Sequence, residues 1–330
     1  MPDHIATAVA HANFALVKYW GKRNTELNLP AVGSISLTIS ELHTTTSVQF
    51  DPDLGEDCLI LDGFHADHGG TVRVSRFLDR VRERSGLKLS ARVKTSNTFP
   101  AGAGLASSAS GFAALTVAAC HASGLTLPDR ELSALARFGS GSAARSIFGG
   151  FVEMDRGEDP DGSDAVAGQL AGPDHWDLAV LVVITDSGVK ALGSTEAMER
   201  SRLTSPYYAG WCETQSTDLE AARTAIMARD FEALARVTEH NCMKMHAVIL
   251  ASDPPVLYWN ETTVAVLHAV QQMRDAGIPV CYTMDAGPQV KVLTPAEHRE
   301  MVLSHLLDIP GVMDVIVAGP GPGVRIREVA

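Results

Sequence analysis

Pro100-Ala101-Gly102-Ala103-Gly104-Leu105-Ala106-Ser107-Ser108 runs without a break into an apolar stretch from Ala109. Small residues followed by paired hydroxyls suit the binding of an anion. Gly102 and Gly104 allow positive φ and a close backbone approach that a Cβ would block. Bare amides, with the positive end of a following helix behind them, then face the ligand. Ser107 and Ser108 add hydroxyls for phosphate oxygens or for a phosphate-bound magnesium ion, so a nucleoside triphosphate fits. A Walker P-loop is excluded, because Leu105-Ala106-Ser107-Ser108 stands where Gly-Lys-Ser/Thr is needed. A dinucleotide fingerprint is excluded too: Ser107 takes the place of its third glycine, and no acidic residue closes a second strand about 20 residues on. Taken alone, the segment could equally be a glycine-rich turn capping a helix.

Three further patches hold polar groups that a fold alone does not require. Asn13, Lys18, Lys22 and Arg23, interleaved with Tyr19 and Trp20, could grip an anionic substrate, or could be a strand end with solvated lysines. Ser140-Gly141-Ser142-Ala143-Ala144-Arg145 offers amides, hydroxyls and one forked cation, and would also make an ordinary helix start with capping serines. Asp285 in Met284-Asp285-Ala286-Gly287-Pro288 reads either as a turn residue or as a general base. The second role requires a neighbouring cation to keep it ionised and aimed.

These residues must be positioned by a chain of 330 residues, long enough for two domains and a substantial core. Hydrophobic residues make up 45% and charged residues 20%, a globular balance with no uninterrupted apolar run of membrane-spanning length. Met1-Pro2-Asp3-His4 lacks the basic region and apolar stretch of a secretory signal, so a cytoplasmic protein is expected. The net charge of -12 argues against a nucleic-acid partner, and any positive charge meeting an anionic substrate must be local. Five scattered cysteines show no metal-type pairing and read as buried free thiols.

Periodicity predicts a strand over 5 to 20, then short antiparallel strands at 34–40, 44–50 and 58–61. A helix over 72–84 and a strand over 88–95 lead into the glycine loop. A small-residue helix over 105–123, apolar nearly all round, should lie buried against a sheet. Helices are expected at 129–138 and, after the break at 139–142, in a short piece. A strand over 149–154 follows, and 156–174 reads as a surface excursion. Beyond it come a buried strand over 178–185, helices near 205–228, 230–250 and 260–276, strands at 278–284 and 290–293 around the Asp285 turn, a helix over 296–307 and a strand over 312–317. On the second of the long helices, Phe231, Leu234 and Val237 read as core or dimer contacts. The mixed order favours an α+β architecture in two lobes, 1–175 and 176–330.

The order of the patches is more specific than any one of them. Ala12 to Arg23, Gly104-Leu105-Ala106-Ser107-Ser108-Ala109, Gly139 to Ser146 with Gly149-Gly150-Phe151-Val152-Glu153 after it, Gly193 to Met198, and Met284 to Pro288 together resemble the diphosphomevalonate decarboxylase family, within the GHMP kinase superfamily, over nearly the whole chain. The resemblance implies an N-terminal lobe like ribosomal protein S5 domain 2 and a C-terminal ferredoxin-like lobe, with the active site between them. It implies a homodimer and ATP-dependent decarboxylation of mevalonate 5-diphosphate with Mg2+; the lack of a spanning apolar run argues against a membrane partner. By motif position, Asp285 becomes the catalytic carboxylate near the C3 hydroxyl, and Lys18 falls where the family contacts the substrate or its diphosphate. Arg145 and Asn13 hold the substrate carboxylate. Tyr19, Lys22, Ser140, Gly141, Ser142, Ser194 and Met198 contact the substrate or its diphosphate. Pro100, Gly102, Gly104, Leu105, Ala106, Ser107 and Ser108 take the nucleotide, the two serines also the metal. Val32, Gly33 and Ala197 depart from the family pattern and bear on fine substrate contacts. Relatives that only phosphorylate mevalonate or that decarboxylate a monophosphate, and a non-catalytic nucleotide sensor on the same fold, are the competing expectations.

Overall fold

A computed structural model of the chain describes residues 5–99, 107–188 and 192–327. The first lobe is built from β1 (Ile5–Val17), β2 (Lys22–Asn24), β3 (Leu29–Pro30), β4 (Ser34–Asp51), β5 (Cys58–Leu61), β6 (Phe64–His65), α1 (His68–Ser85), β7 (Ser90–Asn97), α2 (Ser107–Ala122), α3 (Asp129–Gly139), a 3-10 turn (Gly141–Ile147), β8 (Phe151–Met154) and β9 (Ala167–Ala171). The second contains β10 (Leu178–Ile184), α4 (Ser194–Thr204), α5 (Tyr208–Ala228), α6 (Phe231–Leu250), α7 (Glu261–Asp275), β11 (Cys281–Met284), β12 (Val290–Pro295), α8 (Arg299–Leu307) and β13 (Asp314–Ala318). A last short strand, β14 (Arg325–Ile326), pairs antiparallel with β1.

Among the described residues, one sheet has eight strands in the order β14-β1-β4-β7-β5-β6, with β8 beside β4 and β9 beside β8. The two runs expected at 34–40 and 44–50 are one strand, β4, which follows β1 through a register shift between His11 and Asn13. The antiparallel expectation fails for β5, which pairs parallel with β7 and antiparallel only with β6; the crossover through α1 sets that direction. The excursion at 156–174 is only partly at the surface. Ala165, Val166 and Ala167 are buried, and β9 extends the sheet through β8, because the Arg137 guanidinium donates to the Gly162 and Ala165 carbonyls and draws the chain inward.

The second sheet runs β11-β12-β10-β13, antiparallel throughout. Its strand β10 is apolar at every position because both faces are covered. Ala179, Leu181 and Val183 meet α7 and α8, while Leu178, Val180 and Val182 join a core with Phe14, Leu16, Ile35 and Leu37 of the first sheet and Leu234 and Val237 of α6. Phe231 stands edge-on to Trp176 at the rim of that core. The lobes therefore share apolar contacts, and the ends of β1 and β11 meet at their seam. α2 is buried on nearly every side, as its composition requires, with Ser110 Oγ hydrogen-bonded to Thr44 Oγ1 at 2.6 Å. All five cysteines are free; Cys120, Cys242 and Cys281 are buried, whereas Cys58 and Cys212 are partly exposed. Residues 194–204, which carry no strong apolar period, form α4 because Ala197, Met198 and Ser201 have a wall to pack on.

Candidate active site

Just past the end of β1 the backbone of Lys18 is gripped from both sides. Its N–H donates to Asn241 Oδ1 at 2.7 Å, and its carbonyl accepts from Gln215 Nε2 at 2.7 Å. Asn241 Nδ2 in turn donates to Asp218, which also holds the Lys244 ammonium at 2.6 Å. This grip leaves the fully buried Lys18 side chain one course: Nζ donates to Asp285 Oδ1 at 2.9 Å. On the other side of the carboxylate, Lys291 Nζ of β12 lies 3.2 Å from Oδ2. Burial alone would raise the Asp285 pKa, but Lys18 and then Lys291 overcome it and hold the group well below the usual carboxylate range. His246 of α6 sits nearby with its pKa lowered to about 3, first by burial and then by Lys18, and its Nδ1 accepts from Trp259 Nε1 at 3.1 Å.

Arg145, on the 3-10 turn, projects into the same cleft and is 2% exposed. Its Nη1 donates to Ser34 Oγ at 2.6 Å and its Nε to Asn13 Oδ1 at 3.2 Å. Asn13 is fixed by donating to Ser146 Oγ at 2.7 Å and to the Ser142 carbonyl at 3.1 Å. Burial lowers the Arg145 pKa to about 10, with Asp285 and Tyr19 opposing. The guanidinium stays charged at neutral pH. The Tyr19 ring lies on Gly141, and burial pushes its hydroxyl well above the usual phenol range.

Lys22 of β2 and Arg73 of α1 stand at the mouth of the cleft. Arg73 donates to the Gly139 carbonyl at 2.9 Å and stacks over Phe112. Burial, with Arg73 adding to it, lowers the Lys22 pKa to about 8. Two crowded cations there await negative charge. Ser140 Oγ lies 3.4 Å from both Ser108 and Ser142 hydroxyls. Ser194 opens α4 and also lines the cleft, beside Met198, which packs on Trp20 and Met245.

The cleft, about 1100 Å³, is lined by Asn13, Lys18, Tyr19, Lys22, Ser107, Ser108, Ser140, Gly141, Ser142, Arg145, Ser194, Met198 and Asp285; of the expected residues within the described segments only Arg23 is turned away, donating to the Asp159 carbonyl at 2.9 Å. Pro100, Gly102, Gly104, Leu105 and Ala106 lie outside the described residues. Val32 and Ala197 are buried with Trp20 and Trp211 behind the cleft wall, and a Cβ on Gly33 would stand 2.9 Å from Leu219. Among the described residues, no group of three or more His, Cys, Asp or Glu could hold a metal ion. Ammonium, guanidinium and hydroxyl groups line the site instead, a donor set that fits polyphosphates carrying their own magnesium, with the Ser107 and Ser108 hydroxyls in reach.

Sequence reasoning missed Lys291, Arg73, Ser34, Asn241 and Gln215. A lysine in the apolar run Val290-Lys291-Val292-Leu293 was the available signal for the first, since a buried strand excludes an unpaired cation. The others sit on ordinary amphipathic elements and carried no signal.

Residues 10–167 match the family described as "Diphosphomevalonate decarboxylase-like N-terminal domain", and residues 180–316 match "Mevalonate 5-diphosphate decarboxylase C-terminal domain". The diphosphomevalonate decarboxylase of Ganoderma lucidum is 37% identical over 92% of this chain and 81% of its own. That of Homo sapiens is 37% identical over 89% of this chain and 77% of its own. The structure of mevalonate diphosphate decarboxylase from Staphylococcus aureus superposes with a TM-score of 0.93 at 37% identity, covering 98% of both chains. One described as MDDEF in complex with MVAPP, AMPPCP and magnesium gives 0.92 at 39% identity, covering 98% of this chain and 99% of that one. The α+β, two-lobed fold implied by the resemblance is borne out by these structures.

Proposed function

This chain belongs to the diphosphomevalonate decarboxylase family, and we propose how its own residues perform that family's reaction. The chain is an enzyme that decarboxylates mevalonate 5-diphosphate in the mevalonate pathway, with ATP and Mg2+ as cofactors. The products are isopentenyl diphosphate, ADP, phosphate and carbon dioxide.

The observation that carries the division of labour is the meeting of Asp285, Lys18, Arg145 and Asn13 in one cleft. A tertiary hydroxyl leaves poorly, and ATP with its magnesium supplies the phosphoryl group that turns it into a leaving group. Asp285 receives the C3 hydroxyl and takes its proton, aimed by the lysine at Oδ1. Arg145, itself fixed by Ser34 and Asn13, orients the substrate carboxylate opposite the departing phosphate. It must hold that group without stabilising the bound anion more than the transition state. Loss of carbon dioxide then delivers its electron pair to C3. Lys22, Tyr19 and Arg73 receive the diphosphate, and Ser140, Gly141, Ser142, Ser194 and Met198 shape the wall around it.

Pro100, Gly102, Gly104, Leu105, Ala106, Ser107 and Ser108 take the nucleotide, and Ser107 and Ser108 the magnesium. The chain divides functionally near residue 175, into a nucleotide-binding lobe and one that brings Asp285. A homodimer is part of this reading, on the resemblance, and a cytoplasmic location, on the character of the N-terminal residues. Among the described residues, no helix is long and apolar enough to cross a membrane.

The test is to incubate the protein with ATP, Mg2+ and mevalonate 5-diphosphate and to follow ADP and carbon dioxide together. Equal release is expected. ADP without carbon dioxide would make it a kinase, and neither product would overturn the reading. The monophosphate, run in parallel, is expected to turn over poorly.

A further inference from the structure

Lys18 and Lys291 are both buried and face the same carboxylate from opposite sides, but they differ in one respect: Lys18 lines the cleft, whereas Lys291, on β12, does not. Its backbone is locked by pairing with Thr283 of β11 and Val182 of β10. Lys291 is therefore set back from the substrate, and its contact with the catalytic group is the one to Asp285 Oδ2. The reaction asks something of Lys18 that its ground-state contact forbids. Substrate and nucleotide bring several negative charges into the cleft, and among the described residues the ammonium that lines the cleft beside Asp285 is the Lys18 one already bound to it. Were Lys18 the sole partner, turning it to those charges would leave the Asp285 carboxylate, only about a quarter exposed, without a cation to hold it.

We propose that Lys291 is a positioning residue that holds Asp285 from behind, so that Lys18 can turn to the incoming anions while the carboxylate stays paired and aimed. This rests on the reading of Asp285 as the catalytic carboxylate. The charged and titratable groups around Asp285 are consistent with the assignment. Lys18 comes from the end of β1, Lys291 from β12 and Arg145 from the 3-10 turn, and α6 supplies only His246, kept neutral by burial, and the Cys242 thiol. Among the described residues, Lys291 is thus the cation at Asp285 that does not line the cleft.

The experiment compares Lys291→Met with the unaltered enzyme across pH. The unaltered enzyme must first release ADP and carbon dioxide; if it does not, the reading of the function fails and the lysine is not in question. With that activity in hand, Lys291→Met is expected to lower kcat by about tenfold or more while KM for mevalonate 5-diphosphate moves far less, and to shift the acid limb of the kcat profile to higher pH. Loss of kcat with an unmoved acid limb, or no loss, would overturn the proposal. Should Lys291→Met fail to fold, the comparison moves to Asp285→Asn, where no anion remains to be held. There the added Lys291→Met should change the Kd of mevalonate 5-diphosphate by no more than about twofold. A larger change, or a double variant that does not fold, would show that the lysine acts independently of Asp285 and overturn the proposal as well.

Discussion

Gly141 carries the ring of Tyr19 so closely that a Cβ at position 141 would stand 2.3 Å from the tyrosine hydroxyl oxygen. The requirement is steric, for no side chain of any kind fits between the 3-10 turn and the ring. Gly141→Ala is expected to push Tyr19 into the cleft and lower kcat/KM by about 10- to 100-fold, since an ångström of misplacement costs that much. Tyr19→Phe keeps the ring in place and should be milder. Steady-state kinetics on both variants decides it, and equal losses would refute the steric account.

Asp285→Asn keeps the shape of the turn but leaves Lys18 and Lys291 facing each other across a neutral amide. Turnover should fall by about 10²- to 10⁴-fold, the usual worth of a positioned proton acceptor. Substrate affinity, measured by titration calorimetry, should change little. An active variant would remove Asp285 from the chemistry.

Lys22 should make substrate binding pH-dependent. Its pKa in the free enzyme is drawn down to about 8 by burial and by Arg73, and a bound diphosphate would raise it again. Binding then takes up a proton, so affinity is full below pH 8 and weakens above it, approaching about tenfold per pH unit. Calorimetry in buffers of different ionisation enthalpy reads the proton directly. Lys22→Met should abolish the uptake, and a flat affinity between pH 8 and 9.5 in the unaltered enzyme would count against it.

Asn241→Ala removes the acceptor for the buried Lys18 N–H and a donor to Asp218. An orphaned buried donor costs about 1–3 kcal/mol, measurable as a shift in the urea midpoint. Activity should fall as well, because Lys18 loses one of its two backbone holds. Unchanged stability would mean that water replaces the amide.

His246 predicts a second pH effect, this time on folding. Its pKa is depressed to about 3 in the fold, below the ordinary 6.5, so the unfolded chain binds more protons between those values. Stability should be full above pH 6.5 and decline as pH falls towards 3. Asp285, also depressed, adds its own loss only below the ordinary carboxylate pKa of 3.8. Urea midpoints at pH 7.5, 5.5 and 4.5 should fall in that order, and His246→Gln should flatten the series.

The chemistry was legible where it was local. Asp285 is marked by the turn it occupies and Arg145 by the serine-glycine segment before it, and neither signal depends on a contact distant in the chain. The cation that Asp285 needs could not be chosen from residue types, because Lys18 lies 267 positions away and Lys291 hides in an apolar strand. Periodicity placed most helices and strands within a few residues. It divided β4 in two, because Glu41 and His43 interrupt the apolar pattern that backbone pairing with β1 carries through. It gave β5 the wrong direction, since strand pairing is a property of the connection rather than of the four residues themselves. The two residues of β14 had no period to read.

β14 has a consequence for how the protein is made. Gly319 and Gly321 exchange backbone hydrogen bonds with Ser40 and Thr38, and Arg325 and Ile326 then cover the outer edge of β1. A ribosome delivers β1 first and its cover far later, so the nascent first lobe carries an open edge throughout synthesis. Cutting the chain between the lobes would strand that edge for good. Fragments made at such a cut should therefore self-associate when expressed apart and regain a monodisperse state only when the second half supplies its tail in trans.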